Sequence, residues 1–180
     1  MMTIETNTNS NLRELTTNFA QTGKLEAIIL RPARGAPSIM PKSAQVVLGR
    51  GLQGDRTADK ANASKRQITL IQAEHIAVIA VLLGKQEIEP AVLRRNLVIS
   101  GINLLAAKSL FKDQTMHLTI GNVVLEITGS CEPCSKMEAK LGKGAYNAMR
   151  GHGGMTARII QDGTIKLGDV VSCKVANNSI

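Results

Sequence analysis

The sequence predicts a mainly β, barrel-like fold with peripheral helices, and three observations carry that reading. Apolar runs of strand length, punctuated by turn residues, recur through most of the chain. Two pairs of these runs flank dipeptides suited to tight turns, and helical patterning is confined to a few segments. Antiparallel hairpins near the C-terminal end, with few helices between strands, fit a closed or barrel-like sheet better than a doubly wound α/β sheet.

In chain order, strands are expected at residues 25–30, 44–48, 67–71, 96–99, 115–120, 123–128, 157–161, 164–167 and 169–175. Gly121 and Asn122 are expected to close one hairpin, and Asp162 with Gly163 a second, because two-residue turns need the positive φ that Gly and Asn tolerate. The run after Gly168 is then expected beside the strand before it. Residues 72–83 predict a helix that is apolar nearly all round, hence a packed core helix, with Gly84 as its C-terminal cap. Shorter helices are expected at 135–141 and 143–149. Residues 3–22 are rich in Asn and Thr without a sustained apolar period, so they cannot offset the entropy of ordering. The expected organisation is a flexible tail at 1–22, one domain at 23–176 and a short tail at 177–180.

The chain has 180 residues, 43% of them apolar, which suits one buried core. Lys and Arg number 22 against 14 Asp and Glu, a formal charge of +8 that points to nucleic acid, an anionic surface or a small polyanion. Aromatic residues are only 2%, which leaves few stacking platforms for single-stranded nucleic acid. The start of the chain lacks a basic segment followed by an apolar run, and residues 76–83 fall far short of the roughly 20 needed to span a bilayer. The expectation is a soluble, cytoplasmic protein without a membrane partner. Three cysteines do not suggest a disulfide framework, and at least one thiol should be free.

The sharpest chemical feature is Cys131 and Cys134, placed where an apolar strand ends and a helix begins. The partial positive charge of a helix N-terminus would favour thiolate over thiol there. Three other uses stay open: a zinc site completed by His117 or His152, a redox dithiol, or an inert structural pair. Cys173, inside an alternating strand, reads as core filling. Arginines at strand ends form a second feature: Arg56 after a Gly-rich turn, and Arg94 and Arg95 before Asn96. Guanidinium forks suit phosphate, although Asp55 beside Arg56 offers a local ion pair instead. The third is residues 148–154, a helix end running into a Gly-rich loop with His152 as proton donor, ligand or exposed bystander. His75 and His117 read as structural. No phosphate-binding loop with Lys and Ser follows a strand, and no serine-nucleophile elbow is present.

Taken together, residues 51–56, 94–100, 128–134 and 148–169 stand in the order found in MOSC domains, and the chain resembles their compact bacterial stand-alone type over about residues 24–175. The opening Arg31-Pro32-Ala33-Arg34-Gly35-Ala36-Pro37 is of that type as well. The resemblance implies a MOSC-type β-barrel-like fold whose cleft holds the molybdenum cofactor (molybdopterin). It implies that Cys134 ligates molybdenum, with Cys131 in support, and that Arg56, Arg94 and Asn96 bind the phosphate and pterin. Arg34 falls near a further cofactor-binding position, occupied in the similar amidoxime-reducing enzymes by Lys followed by Ser; here Gly35 follows.

The activity implied is reduction of N-hydroxylated bases or amidoximes by a molybdenum-dependent oxidoreductase. Too few cysteines remain for an iron-sulfur cluster and no dinucleotide fingerprint follows a strand, so electrons would come from a separate flavin or iron-sulfur reductase. The alternative within the family is a sulfur carrier passing persulfide sulfur from a separate cysteine desulfurase, whose pyridoxal phosphate would stay with that partner. The alternative outside enzymes is a basic nucleic-acid binding module.

Overall fold

The computed structural model describes residues 11–61 and 64–176. Its strands are β1 (Gly23–Ile28), β2 (Ser43–Val47), β3 (Gly51–Leu52), β4 (Ile68–Gln72), β5 (Leu97–Ser100), β6 (Met116–Ile120), β7 (Val123–Ser130), β8 (Met155–Gln161), β9 (Gly163–Lys166) and β10 (Val170–Val175). Helices are α1 (Leu12–Leu15), α2 (Ala73–Leu82), α3 (Ser135–Leu141) and α4 (Ala145–Met149), with a 3-10 turn at Pro90–Leu93. β1, β10, β6, β7, β8, β4 and β5 close into a barrel in that order, and β3, β2 and β9 form a small second sheet. The mainly β, barrel-like expectation is therefore met. No helix among the described residues is long and apolar enough to cross a membrane.

Alternation along the strands builds the core. Leu70, Leu97 and Ile99 point into the barrel with Leu25, Leu118, Leu125 and Ala157, all at 0% exposure. Their neighbours Ile71 and Val98 point outward and are buried as well, beneath Ile76 and Ile79 of α2, Met137 and Leu141 of α3 and Met149 of α4. β4 is consequently buried along its whole length, its polar Thr69 and Gln72 included. β4 and β5 are also the one parallel pair in the barrel, and α2 with the 3-10 turn forms the crossover that a parallel pair needs. That helical layer fixes where α3 and α4 begin.

Three expectations need correction. Gly121 and Asn122 do close the β6–β7 hairpin, with Ile120 opposite Val123. Asp162 and Gly163, however, end β8 without pairing it to β9. β9 leaves the barrel and pairs with β2, where Ala44 faces Ile165, so that fully buried Ile165 joins Ala44 and Val46 in the core. β10 accordingly lies between β1 and β6, not beside β9. The helix expected as wholly packed, α2, buries one face through Ile76, Ile79 and Ala80, but Val81 is 75% and Leu82 58% exposed. Gly84 does follow its last turn at φ 64, where Lys85 N–H reaches the Ala80 carbonyl at 2.9 Å.

The segment expected to be a tail is more structured than its composition suggests. Residues 1–10 and 177–180 lie outside the described residues. Within 11–22, α1 is capped by the Asn11 side chain, and Phe19 packs on the barrel core. Arg13 lies over the Phe111 ring at 4.5 Å and pairs with Asp113, so long-range contacts supply what local patterning lacks.

Gly154 begins the approach to β8 at φ 95, and a Cβ there would clash with the Leu70 carbonyl. Gly151, at φ 77, faces open space. Gly154→Ala should therefore cost about 3 kcal/mol or more, and Gly151→Ala about 1 kcal/mol. Urea unfolding of the two variants measures the difference, and equal losses would contradict the packing described.

Candidate functional site

The end of β1, the turn after β3 and the start of β5 converge on one carboxylate. Asp55 is fully buried and accepts hydrogen bonds from Arg31 N and Nε at 3.0 Å each, from Thr57 Oγ1 at 2.7 Å and from Asn96 Nδ2 at 3.0 Å. Burial pushes its carboxyl up, but the Thr57 hydroxyl and the Arg31 guanidinium outweigh that and hold it below the ordinary carboxylate value. The partner of Asp55 is thus Arg31, across 24 residues, and not its neighbour Arg56. Asn96 joins the same network. Its Oδ1 accepts from Thr69 Oγ1 at 2.9 Å, and its Nδ2 donates to the Ile29 carbonyl at 3.3 Å.

On this base lies a basic cleft of about 450 Å3 whose cationic lining is Arg31, Arg34, Arg56, Arg94, Lys136 and Lys140, with no carboxylate among the described residues. Arg94 has φ 60, the only left-handed non-glycine among the described residues, a conformation that costs an arginine roughly 1 kcal/mol or more. It is held there by its own N–H on the Ala91 carbonyl and by Arg31 Nη1, which donates to the Arg94 carbonyl at 3.2 Å. Arg56 Nε is buried without a hydrogen-bond partner, a donor that a bound anion would satisfy.

The cysteine loop adjoins this cleft through α3. β7 ends at Ser130, Cys131 is buried, and Cys134 is exposed at the N-cap position of α3, the helix that carries Lys136 and Lys140 into the cleft. Arg95, 5% exposed, has no carboxylate partner among the described residues; Nη2 donates to the Cys131 carbonyl at 2.9 Å, Nε to the Gly153 carbonyl at 2.6 Å and Nη1 to the Leu93 carbonyl at 2.9 Å. Burial draws its guanidinium below the ordinary value, and Cys131 beside it acts the other way. Arg66 Nη2 donates to Cys131 Sγ at 3.1 Å. Glycine is required at 153, because a Cβ there would crowd the Cys131 carbonyl.

Of the residues singled out in the sequence, Arg34, Arg56 and Arg94 line one cleft and Cys134 stands at the head of the helix forming its wall. Asn96, at 3% exposure, is not on the cleft lining and donates to Asp55 behind it. Cys131 faces Arg66, not solvent. His152 packs edge-on against His75 with ring centroids 5.0 Å apart, and its Nδ1 is buried without a partner. Burial and the neighbouring His152 push the His75 imidazole below its ordinary value. Cys173 is in the barrel core, where burial pushes its thiol up to about 12. Among the described residues, no group of three or more His, Cys, Asp or Glu is arranged to hold a metal. Sequence reasoning gave no role to Lys136 and Lys140, and it named Asp55 and Arg31 without pairing them with each other.

Comparison with known proteins gives two results. Residues 53–172 match the family model of the MOSC domain. Among solved structures, the YUAD protein from Bacillus subtilis is similar with a TM-score of 0.72 and 19% identity, covering 89% of this chain and 100% of that one. YiiM from Geobacillus stearothermophilus is similar at TM-score 0.62 and 14% identity, covering 88% and 77%. YiiM from Escherichia coli gives 0.61 and 15%, covering 86% and 70%. No curated protein sequence matched the chain.

Asp55→Ala should cost about 3 to 5 kcal/mol, because it leaves Arg31 half-buried without its counter-ion. A carboxyl held below its ordinary value stabilises the fold fully above the unfolded-state pKa, about 3.9, and that stability is lost as pH falls through the lower folded value. The gap between wild type and Asp55→Asn should therefore be full at neutral pH and shrink only below about pH 4. Denaturant midpoints across pH measure it, and a gap that closes near neutrality would contradict the network.

Proposed function

The chain belongs to the MOSC domain family, and on that premise we propose that it binds the molybdenum cofactor and reduces N-hydroxylated bases or amidoximes with electrons from a separate protein. One observation supports this reading above the others. A cleft lined by arginines and lysines without a carboxylate runs beside the helix whose first flanking residue is the exposed thiol Cys134. A phosphate-bearing pterin with a thiophilic metal needs a cationic cradle and a soft ligand; the cleft offers the first, and Cys134, at the head of the helix that forms its wall, the second.

Arg56 and Arg94 would hold the phosphate, with Arg34 on the adjoining loop; the buried Arg56 Nε is the donor still lacking an acceptor. Asn96 would act through Asp55, which fixes the Arg31 guanidinium under Arg94. Cys134 Sγ would ligate the metal. Cys131 would stay a buried support, its sulfur held by Arg66 and its carbonyl by Arg95. When bound, the cofactor supplies the two-electron removal of an oxygen atom, which leaves as water with two protons. Cys134 is exposed, so solvent would supply those protons at the reacting end. Electrons would come from a flavin or iron-sulfur reductase drawn to the basic surface.

Cofactor-loaded protein should reduce an amidoxime or N-hydroxylated purine with reduced viologen and show no turnover with NADPH alone; adding a flavin or iron-sulfur reductase should restore it, less at high salt. Efficient turnover with NADPH and no second protein would refute the separate donor. In the same assay Cys134→Ser should abolish activity, whereas Cys131→Ser should keep a measurable part of it. Equal loss in both would favour a redox dithiol or the persulfide relay of the sulfur-carrier alternative.

A further inference from the structure

The cleft holds more positive charge than one phosphate monoester can answer. Asp55 neutralises Arg31, which leaves Arg34, Arg56, Arg94, Lys136 and Lys140 on the lining without a carboxylate partner among the described residues. A phosphate monoester carries roughly 1.5 to 2 negative charges near neutral pH. About three positive charges remain, a local self-repulsion that the fold bears without return unless another anion enters.

The cations come from two places. Arg56 and Arg94 stand at strand ends over the Asp55 network, while Lys136 and Lys140 stand four residues apart on α3. Like charges at that spacing oppose each other on a helix. The one acid on α3, Glu138, lies between them in sequence but is turned away: its Oε1 accepts from Gly144 N and its Oε2 from Tyr146 N, each at 2.7 Å. Those two bonds hold its carboxyl below the ordinary carboxylate value. α3 therefore commits its only carboxylate to the start of α4 and leaves both lysines to the cleft.

We propose that the cleft has two phosphoryl subsites, one at Arg56 and Arg94 and a second at Lys136 and Lys140 on α3. The assignment of the first to the cofactor phosphate rests on the function proposed above. The second takes a phosphoryl group carried either by the substrate, making it a phosphorylated compound, or by the ligand itself as the far half of a diphosphate.

The test uses the full chain without cofactor, titrated with inorganic phosphate at low salt and followed by calorimetry. Two phosphates should bind per chain. Lys136→Gln with Lys140→Gln should remove one, and Arg56→Gln the other; both lysines are exposed, so the fold should persist, with thermal unfolding as the check. Pyrophosphate then separates the sources. One pyrophosphate per chain, bound at least about ten-fold more tightly than phosphate, assigns the second subsite to a diphosphate ligand. Two per chain assigns it to a phosphorylated substrate. A single phosphate in wild type, or an unchanged stoichiometry in the folded lysine variant, would overturn the proposal. Loss of a site in the lysine variant but not in Arg56→Gln would retain this subsite and count against the arginine half alone.

Discussion

A carboxylate with no access to water is the constraint on which the site depends. Buried Asp55 stays charged only because the Arg31 guanidinium, the Thr57 hydroxyl and the Asn96 amide surround it. Removing one partner of such a group leaves an uncompensated buried charge, which is far more costly than the net worth of the pair. The end of β1, the turn after β3 and the start of β5 must therefore arrive together, and Thr69 of β4 is drawn in through Asn96. Arg94 inherits its position from this arrangement, since the guanidinium that satisfies Asp55 also holds the Arg94 carbonyl. A rigid floor under a cationic cleft follows from one acidic side chain.

A second buried charge organises the thiol side by different means. Arg95 meets backbone carbonyls where Arg31 meets a carboxylate, and those carbonyls belong to the cysteine loop, the Gly-rich loop after α4 and the 3-10 turn. The two loops approach so closely that Gly153 has no room for a side chain beside the Cys131 carbonyl, and Gly154 has none against the Leu70 carbonyl of β4. Cys131 is enclosed by this contact, and the chain then turns outward through Pro133 so that Cys134 emerges at the head of α3. One cysteine is thus structural in placement and the other accessible, though only two residues separate them. Both sides of the cleft remain positive because the acids nearest to them, Asp55 and Glu138, are already bonded.

Most of the barrel was legible because strand alternation and turn chemistry are local. The β6–β7 hairpin could be placed from Gly121 and Asn122, and α3 from its apolar spacing. The path after Gly163 was not legible, since the turn dipeptide shows that β8 ends but not that buried Ile165 belongs with Ala44 on another sheet. α2 looked like a core helix because its composition is apolar all round, while burial is decided by which face meets β4 and β5. The order around α1 was hidden for the opposite reason: Arg13 and Phe19 find their partners far along the chain. At the site, residue types were informative and roles were not. Asn96 was read as a contact with the ligand, whereas its burial and its hydrogen bond to Asp55 became visible only in the fold.

In the function proposed, the arginine cleft and Cys134 hold two ends of one ligand. Pterin and molybdenum content of protein purified from a host that makes the cofactor tests it most directly. Wild type should carry both near stoichiometrically, Cys134→Ser should retain pterin while losing metal, and Arg56→Ala with Arg94→Ala should lose both. Folded wild-type protein with neither pterin nor molybdenum would contradict the account.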